Sequence, residues 1–107
     1  MPLFRPLMLV LVAALVAPLA AHAETETLRV RNRSGVDLVR MFASPVTDEY
    51  WRDDLLGQYV VPSGGNADVT IRNVSECLYD LLLLFSDGAV VPDRVDVCAS
   101  ESYTIEP

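Results

Sequence analysis

Cys77 to Gly88 reads Cys-Leu-Tyr-Asp-Leu-Leu-Leu-Leu-Phe-Ser-Asp-Gly, opening on one of two cysteines and closing on an Asp-Gly turn signal. Odd positions carry Tyr79, Leu81, Leu83 and Phe85; even positions carry Leu78, Leu82 and Leu84, with Asp80 the lone polar residue. A strand apolar on both faces belongs in the centre of a sheet and demands cover on each side. Asp80 needs a partner there, because an unpaired buried carboxylate is costly. An arginine such as Arg72 or Arg94, or turn amides, is the expected partner; a pocket role for Asp80 is the competing reading.

The N-terminus has a different logic. Arg5 precedes an apolar run, Leu7 to Val16, and the segment ends Ala17-Pro18-Leu19-Ala20-Ala21-His22-Ala23. A basic start, an apolar middle and an Ala-x-Ala exit describe a cleavable signal peptide over 1–23. Leu7 to Ala21 is 15 residues with Pro18 inside it, short of the roughly 18 to 20 needed to span a bilayer. No cysteine follows for lipid attachment and no Arg-Arg pair precedes for twin-arginine export. The expected location is therefore periplasmic or secreted, with no membrane attachment after cleavage.

Cleavage leaves residues 24–107 as one domain and removes His22, the sole histidine. The chain has no lysine; seven arginines then face fifteen carboxylates, a net charge of −8. Ser-His-Asp and Cys-His hydrolysis, lysine Schiff-base chemistry and histidine metal ligation lose their side chains. So acidic a surface, without a basic stripe interleaved with aromatics, is a poor match for nucleic acid. A carboxylate pair acting on glycosides needs a cleft that a domain this small scarcely provides.

The remaining chain reads as short strands and turns. Leu28 to Arg31 and Asn66 to Arg72 alternate apolar and polar residues, while Val36 to Ala43 and Gln58 to Val61 supply two more strands. Glu24 to Glu26 reads as a frayed tail. Ala89 to Cys98, interrupted by Pro92-Asp93, pairs back on the central run at an edge or through a bulge, because Pro92 cannot donate to a ladder. Tyr103 to Ile105 is a last short strand. The expected fold is all-β, a single small antiparallel β-sandwich of about seven strands with one short helical or irregular insertion. Asn32-x-Ser34 and Asn73-x-Ser75 match glycosylation acceptors, but turn chemistry alone accounts for both.

Two cysteines in a small exported chain imply a Cys77–Cys98 disulfide. A two-residue turn at Asp87-Gly88 places the two directly opposite on adjacent strands; a bulge at Pro92 would shift that register by one, and a disulfide linking more distant strands is the competing reading. The closed loop of about 20 residues should contribute roughly 3 kcal/mol. A redox role lacks a Cys-x-x-Cys pair.

The insertion is Val46 to Gly57. Thr47 caps a helical turn opened by Asp48 and Glu49, and Tyr50, Trp51, Leu55 and Leu56 turn toward the sheet as a plug. The competing reading makes the segment a binding loop, with Tyr50, Trp51 and Arg52 as the binding residues. Asp48, Glu49, Asp53 and Asp54 are the densest acidic cluster, without the spacing of an EF-hand loop.

The ordered set Asn32-x-Ser34-Gly35, Trp51, Leu55-Leu56-Gly57, Gly64 or Gly65, Cys77-x-Tyr79-Asp80, Asp87-Gly88 and Cys98 resembles small exported bacterial β-rich proteins of uncharacterised function. Arg52 departs from that pattern, where glycine is expected after the tryptophan. The resemblance implies a secreted β-rich domain and no catalytic residue. The expected function is a non-catalytic exported protein-binding or accessory module with a protein partner, no cofactor and no metal. A calcium- or saccharide-binding domain using the 46–57 loop is the alternative.

Overall fold

The computed structural model describes residues 24–107, so the expected signal segment lies outside the described residues. Six strands follow in order: β1 (Glu24–Asn32), β2 (Leu38–Pro45), β3 (Asn66–Val74), β4 (Leu78–Phe85), β5 (Val90–Asp96) and β6 (Ser102–Ile105). They form two three-stranded sheets, ordered β3-β1-β6 and β2-β4-β5, without a helix among the described residues. Between the sheets lies one core: Leu28, Val30, Val69, Ile71 and Ile105 from the first, Leu38, Met41, Tyr79, Leu81, Leu83 and Phe85 from the second. The all-β sandwich is as expected, with six strands rather than about seven.

The missing strand is Gln58–Val61. Gly57 turns the chain at φ +58° and Pro62 closes the run, which leaves Val61 alone to pair with Leu38 through two 2.9 Å backbone bonds. A buried side chain holds it there. Asn32 donates from Nδ2 to the carbonyls of Val61 (2.9 Å) and Val36 (2.7 Å), and its Oδ1 accepts from the Ser34 amide and hydroxyl. Fully buried and with donors and acceptor both used, this amide is a structural tie between two turns.

Two pairings depart from expectation. β1 begins at Glu24, pairing through a bulge with β3 where a frayed tail was expected. β6 pairs with β1 in parallel, with the Arg29 and Arg33 amides donating to the carbonyls of Glu101 (2.9 Å) and Ile105 (2.8 Å). The chain enters β6 from the opposite sheet rather than by a hairpin from β1, so no turn imposes the antiparallel sense.

β4 is the central strand of its sheet, and the two-sided reading needs correction. Its odd residues Tyr79, Leu81, Leu83 and Phe85 are buried, but its even residues Leu82 and Leu84 are half-buried and Leu78 is exposed. One face meets the core; the other has no layer above it among the described residues.

The β4–β5 hairpin turns through three residues. Gly88, at φ +89°, donates to the Phe85 carbonyl (3.0 Å), and Phe85 donates to that of Ala89 (3.0 Å). The left-handed glycine allows this wider loop and moves the register by one residue. Cys77 therefore faces Val97, whose amide donates to it at 2.9 Å, and the disulfide joins Cys77 to the next residue, Cys98, with 5.2 Å between Cα atoms. The ladder passes Pro92, opposite Leu82, without a shift. β5 is an edge strand, and the alternation puts the missing Pro92 N–H on its free side, where proline is tolerated.

Candidate binding surface

The Val46–Gly57 insertion contains no helix. Thr47, expected as a helix cap, instead donates its hydroxyl to Glu76, and the rest of the insertion runs along the outer edge of β2, held by the Asp54 carboxylate and the Ser44 hydroxyl. Asp54 Oδ1 accepts the Met41 and Leu56 amides, both at 3.0 Å, while Leu55 donates to the Met41 carbonyl (2.8 Å). Asp54 thus occupies the place of a strand residue, with Arg40 at 3.6 Å from its second oxygen. Ser44 Oγ donates to the Tyr50 carbonyl (3.0 Å) and accepts the Arg52 amide (2.9 Å). Six residues of chain are pinned between these anchors, from Ser44's partner Tyr50 to Leu55.

Only half of the expected plug points inward. Leu56 is buried and Leu55 packs against the core, but Tyr50 is 80% exposed and Trp51 44%. The reason is spacing: once Ser44 holds the backbone at Tyr50 and Arg52, the inward contacts fall to the leucines that follow Asp54. Arg52 lies alongside, its Nε donating to Asp48 at 2.9 Å. Tyr50, Trp51 and Arg52, the binding residues read from sequence, therefore sit together on a tethered loop.

A hollow of about 200 Å³ opens beside them, lined by Ser44, Asp48, Glu49, Tyr50, Trp51 and Asp80. Ser44 and Asp80 are opposite each other on the outer face of the β2-β4-β5 sheet. The next rows of that face are Phe42–Leu82–Pro92 and Arg40–Leu84–Val90. The aromatic loop thus continues into an apolar strip that runs across all three strands. Sequence alternation places Leu82 and Leu84 on that face; the contribution of Phe42 and Pro92 depends on register, which it does not specify.

On the other side of the loop a hollow of about 360 Å³ is lined by Arg52, Asp53, Asp54 and Leu55 against Thr70 to Asn73, with Tyr79 beneath. Tyr79 is fully buried and its hydroxyl lacks a hydrogen-bond partner among the described residues. Burial raises its pKa; the Arg52 charge opposes that shift and the Glu76 and Asp48 charges add to it. Asn73 lies on the rim at φ +59°, a left-handed conformation that asparagine tolerates better than most residues. Sequence reasoning singles out Arg52, Asp53 and Asp54 here but assigns no site to Tyr79 or to Thr70 to Asn73; the one signal is a phenol hydroxyl on the strand face shared with Leu81, Leu83 and Phe85.

The acidic cluster does not converge. Asp48 is paired with Arg52, and Asp54 is spent on backbone amides. Asp80, the polar residue of β4, is paired with Arg94 of β5. Cys77, Cys98 and Asp96 bring ligand atoms within 4.8 Å of one another, but both sulfurs are in the disulfide and Asp96 Oδ1 accepts the Cys98 and Ala99 amides. No protein-family model, curated protein or solved structure matches the chain.

Proposed function

We propose that this is an exported, non-catalytic protein-binding module whose recognition face is the outer side of the β2-β4-β5 sheet together with the Tyr50–Arg52 loop. The observation that carries the reading is the continuity of the Phe42–Leu82–Pro92 strip with exposed Tyr50 and Trp51. Uncovered apolar surface that borders aromatic and arginine side chains is the composition of protein-binding hot spots. Residues 24–107 contain neither histidine nor lysine, which removes the commonest general bases from the domain. The disulfide suits an oxidising compartment.

Leu82→Glu and Trp51→Ala test this directly. Both variants should keep the parent's melting behaviour, lose binding of a hydrophobic dye in part, and fail to retain proteins that the parent retains from a periplasmic extract. Retention unchanged in both variants would sink the reading.

A second reading is saccharide binding in the hollow at Trp51. Tyr50 and Trp51 beside Glu49 offer aromatic faces for a sugar ring and an acceptor for its hydroxyls. Calcium is the weaker half of that alternative, because Asp48 and Asp80 are already neutralised by arginines. Titration of Trp51 fluorescence with glycans separates the two classes: a saturable change favours the sugar, and none leaves the protein partner.

A further inference from the structure

β3 has a long edge with no strand paired to it among the described residues. β1 uses its even-numbered amides toward β3, since its odd-numbered ones, Arg29 and Arg33, donate to Glu101 and Ile105 on the β6 side. The pairing of Leu28 with Val69 and of Val30 with Ala67 then turns the N–H and C=O groups of Asp68, Thr70 and Arg72 away from the sheet. They have no backbone partner among the described residues.

The other edges are occupied, interrupted or short. β2 is occupied by Leu55 and Val61. β5 carries Pro92, and the Arg94 amide is taken by its neighbour's Asp93 carboxylate at 2.8 Å. β6 has four residues. Natural sheets protect their edges in these ways, and β3 uses neither proline nor a cap between Asp68 and Arg72.

What β3 presents there is self-complementary. Asp68, Thr70 and Arg72 all lie on the solvent face, with Thr70 at the midpoint between the two charges. If a second β3 lies antiparallel about a two-fold axis at Thr70, Thr70 faces Thr70 and each Asp68 faces an Arg72. Like-charged ends would repel in the same arrangement; these attract. Asp68 already takes Arg29 Nε on Oδ1 at 3.3 Å, which leaves Oδ2 for a second guanidinium. Arg72 makes no ion pair among the described residues. The 52–60 segment flanks this side of β3 across two shallow hollows, with Arg52–Leu55 facing Thr70–Asn73 and Leu55, Leu56, Tyr59 and Val60 facing Asn66–Val69, but it donates no backbone hydrogen bond to the edge.

We propose that β3 forms the interface of a symmetric dimer of this chain, pairing antiparallel with the β3 of a second copy about Thr70. The two β3-β1-β6 sheets become one six-stranded sheet, and the isologous contact closes on itself. Three hydrogen-bonded residue pairs, Asp68–Arg72, Thr70–Thr70 and Arg72–Asp68, supply about six interchain backbone bonds. Two Arg–Asp pairs set the register. The outer face of the β2-β4-β5 sheet lies on the opposite sheet from this interface, and Arg52 of the loop borders both surfaces.

Light scattering on the purified protein across a dilution series is the experiment. The parent should be a dimer that dissociates on dilution. Asp68→Arg places like charges opposite Arg72, and Arg72→Asp does so opposite Asp68, so each should raise the dissociation constant at least tenfold. The double variant, Asp68→Arg with Arg72→Asp, should recover the parent value. Thr70→Pro, which deletes an outward amide without a partner among the described residues, should give a monomer with the parent's far-UV spectrum. A parent that is monomeric into the millimolar range overturns the proposal and leaves the edge to an extended peptide of another protein. A dimer indifferent to all four variants overturns it as well.

Discussion

Asp80 and Arg94 stand directly opposite each other on β4 and β5, and the guanidinium Nε donates to Asp80 Oδ1 at 2.8 Å on the outer face of the sheet. The pair solves the difficulty posed by a carboxylate in an apolar strand without burying a charge. Asp80's side chain keeps 35% of its surface and Arg94's 62%, so solvent screens the attraction and the net contribution is about 0.2 to 1 kcal/mol.

Asp80→Asn should therefore lower stability by less than about 1 kcal/mol, and 1 M salt should shrink the difference further. Urea unfolding at two salt concentrations measures both. A loss of more than about 2 kcal/mol that persists in high salt would show instead that the pair is buried and interlocked.

The insertion makes a contrasting prediction about two apolar residues five positions apart. Leu56 is 3% exposed and belongs to the core, whereas Trp51 stands on the loop with its backbone neighbours tied to Ser44. Leu56→Ala should cost about 2 to 5 kcal/mol by leaving a cavity. Trp51→Ala should cost under about 1 kcal/mol, as surface changes do. Thermal melts of the two variants decide it, and the reverse order would restore the tryptophan as the plug.

Much of this architecture was legible in the chain, because hydrophobic alternation reports faces well. Leu28, Val69 and Ile71 fall on the core side as their period of two requires, and Cys77 and Cys98 are bonded as two cysteines in such a chain should be. What escaped was set by contacts distant in sequence or by turn geometry. A three-residue loop with Gly88 moved the β4–β5 register, and nothing local to Tyr103 declares a parallel partner 73 positions earlier at Val30. At the site, residue type singles out Tyr50, Trp51 and Arg52, but their exposure follows from Ser44 reaching across to the loop and Asp54 reaching back from the loop to Met41. The apolar strip needed the pairing of Phe42 with Leu82 before it became one surface.

The side of the sandwich where β5 and β6 form the sheet edges leads to a prediction about pH. Tyr103, on β6, donates its hydroxyl to Asp93 on β5, which ties the edge strand of one sheet to that of the other. Burial raises the Tyr103 pKa well above its ordinary value, and the Asp93 hydrogen bond and charge raise it further. In the unfolded chain the phenol ionises near pH 10. Above that pH the unfolded state holds fewer protons than the folded state, so stability falls as pH rises. The contribution is complete below about pH 10 and is lost as pH climbs toward the folded-state value. Tyr79, raised by burial, adds in the same direction. The chain has no lysine to obscure the effect, arginine stays charged throughout, and with both cysteines paired no free thiolate is present to start disulfide exchange. Unfolding free energies from urea melts at about pH 8 and about pH 11 should therefore diverge for the parent, by up to about 1.4 kcal/mol per pH unit above about pH 10 for each such phenol. Tyr103→Phe should begin less stable at pH 8, having lost the Asp93 bond, and should lose less on going to pH 11. Equal alkaline losses in the two proteins would mean that Tyr103 ionises alike in the folded and unfolded chains, and that its link across the sandwich does not hold the proton.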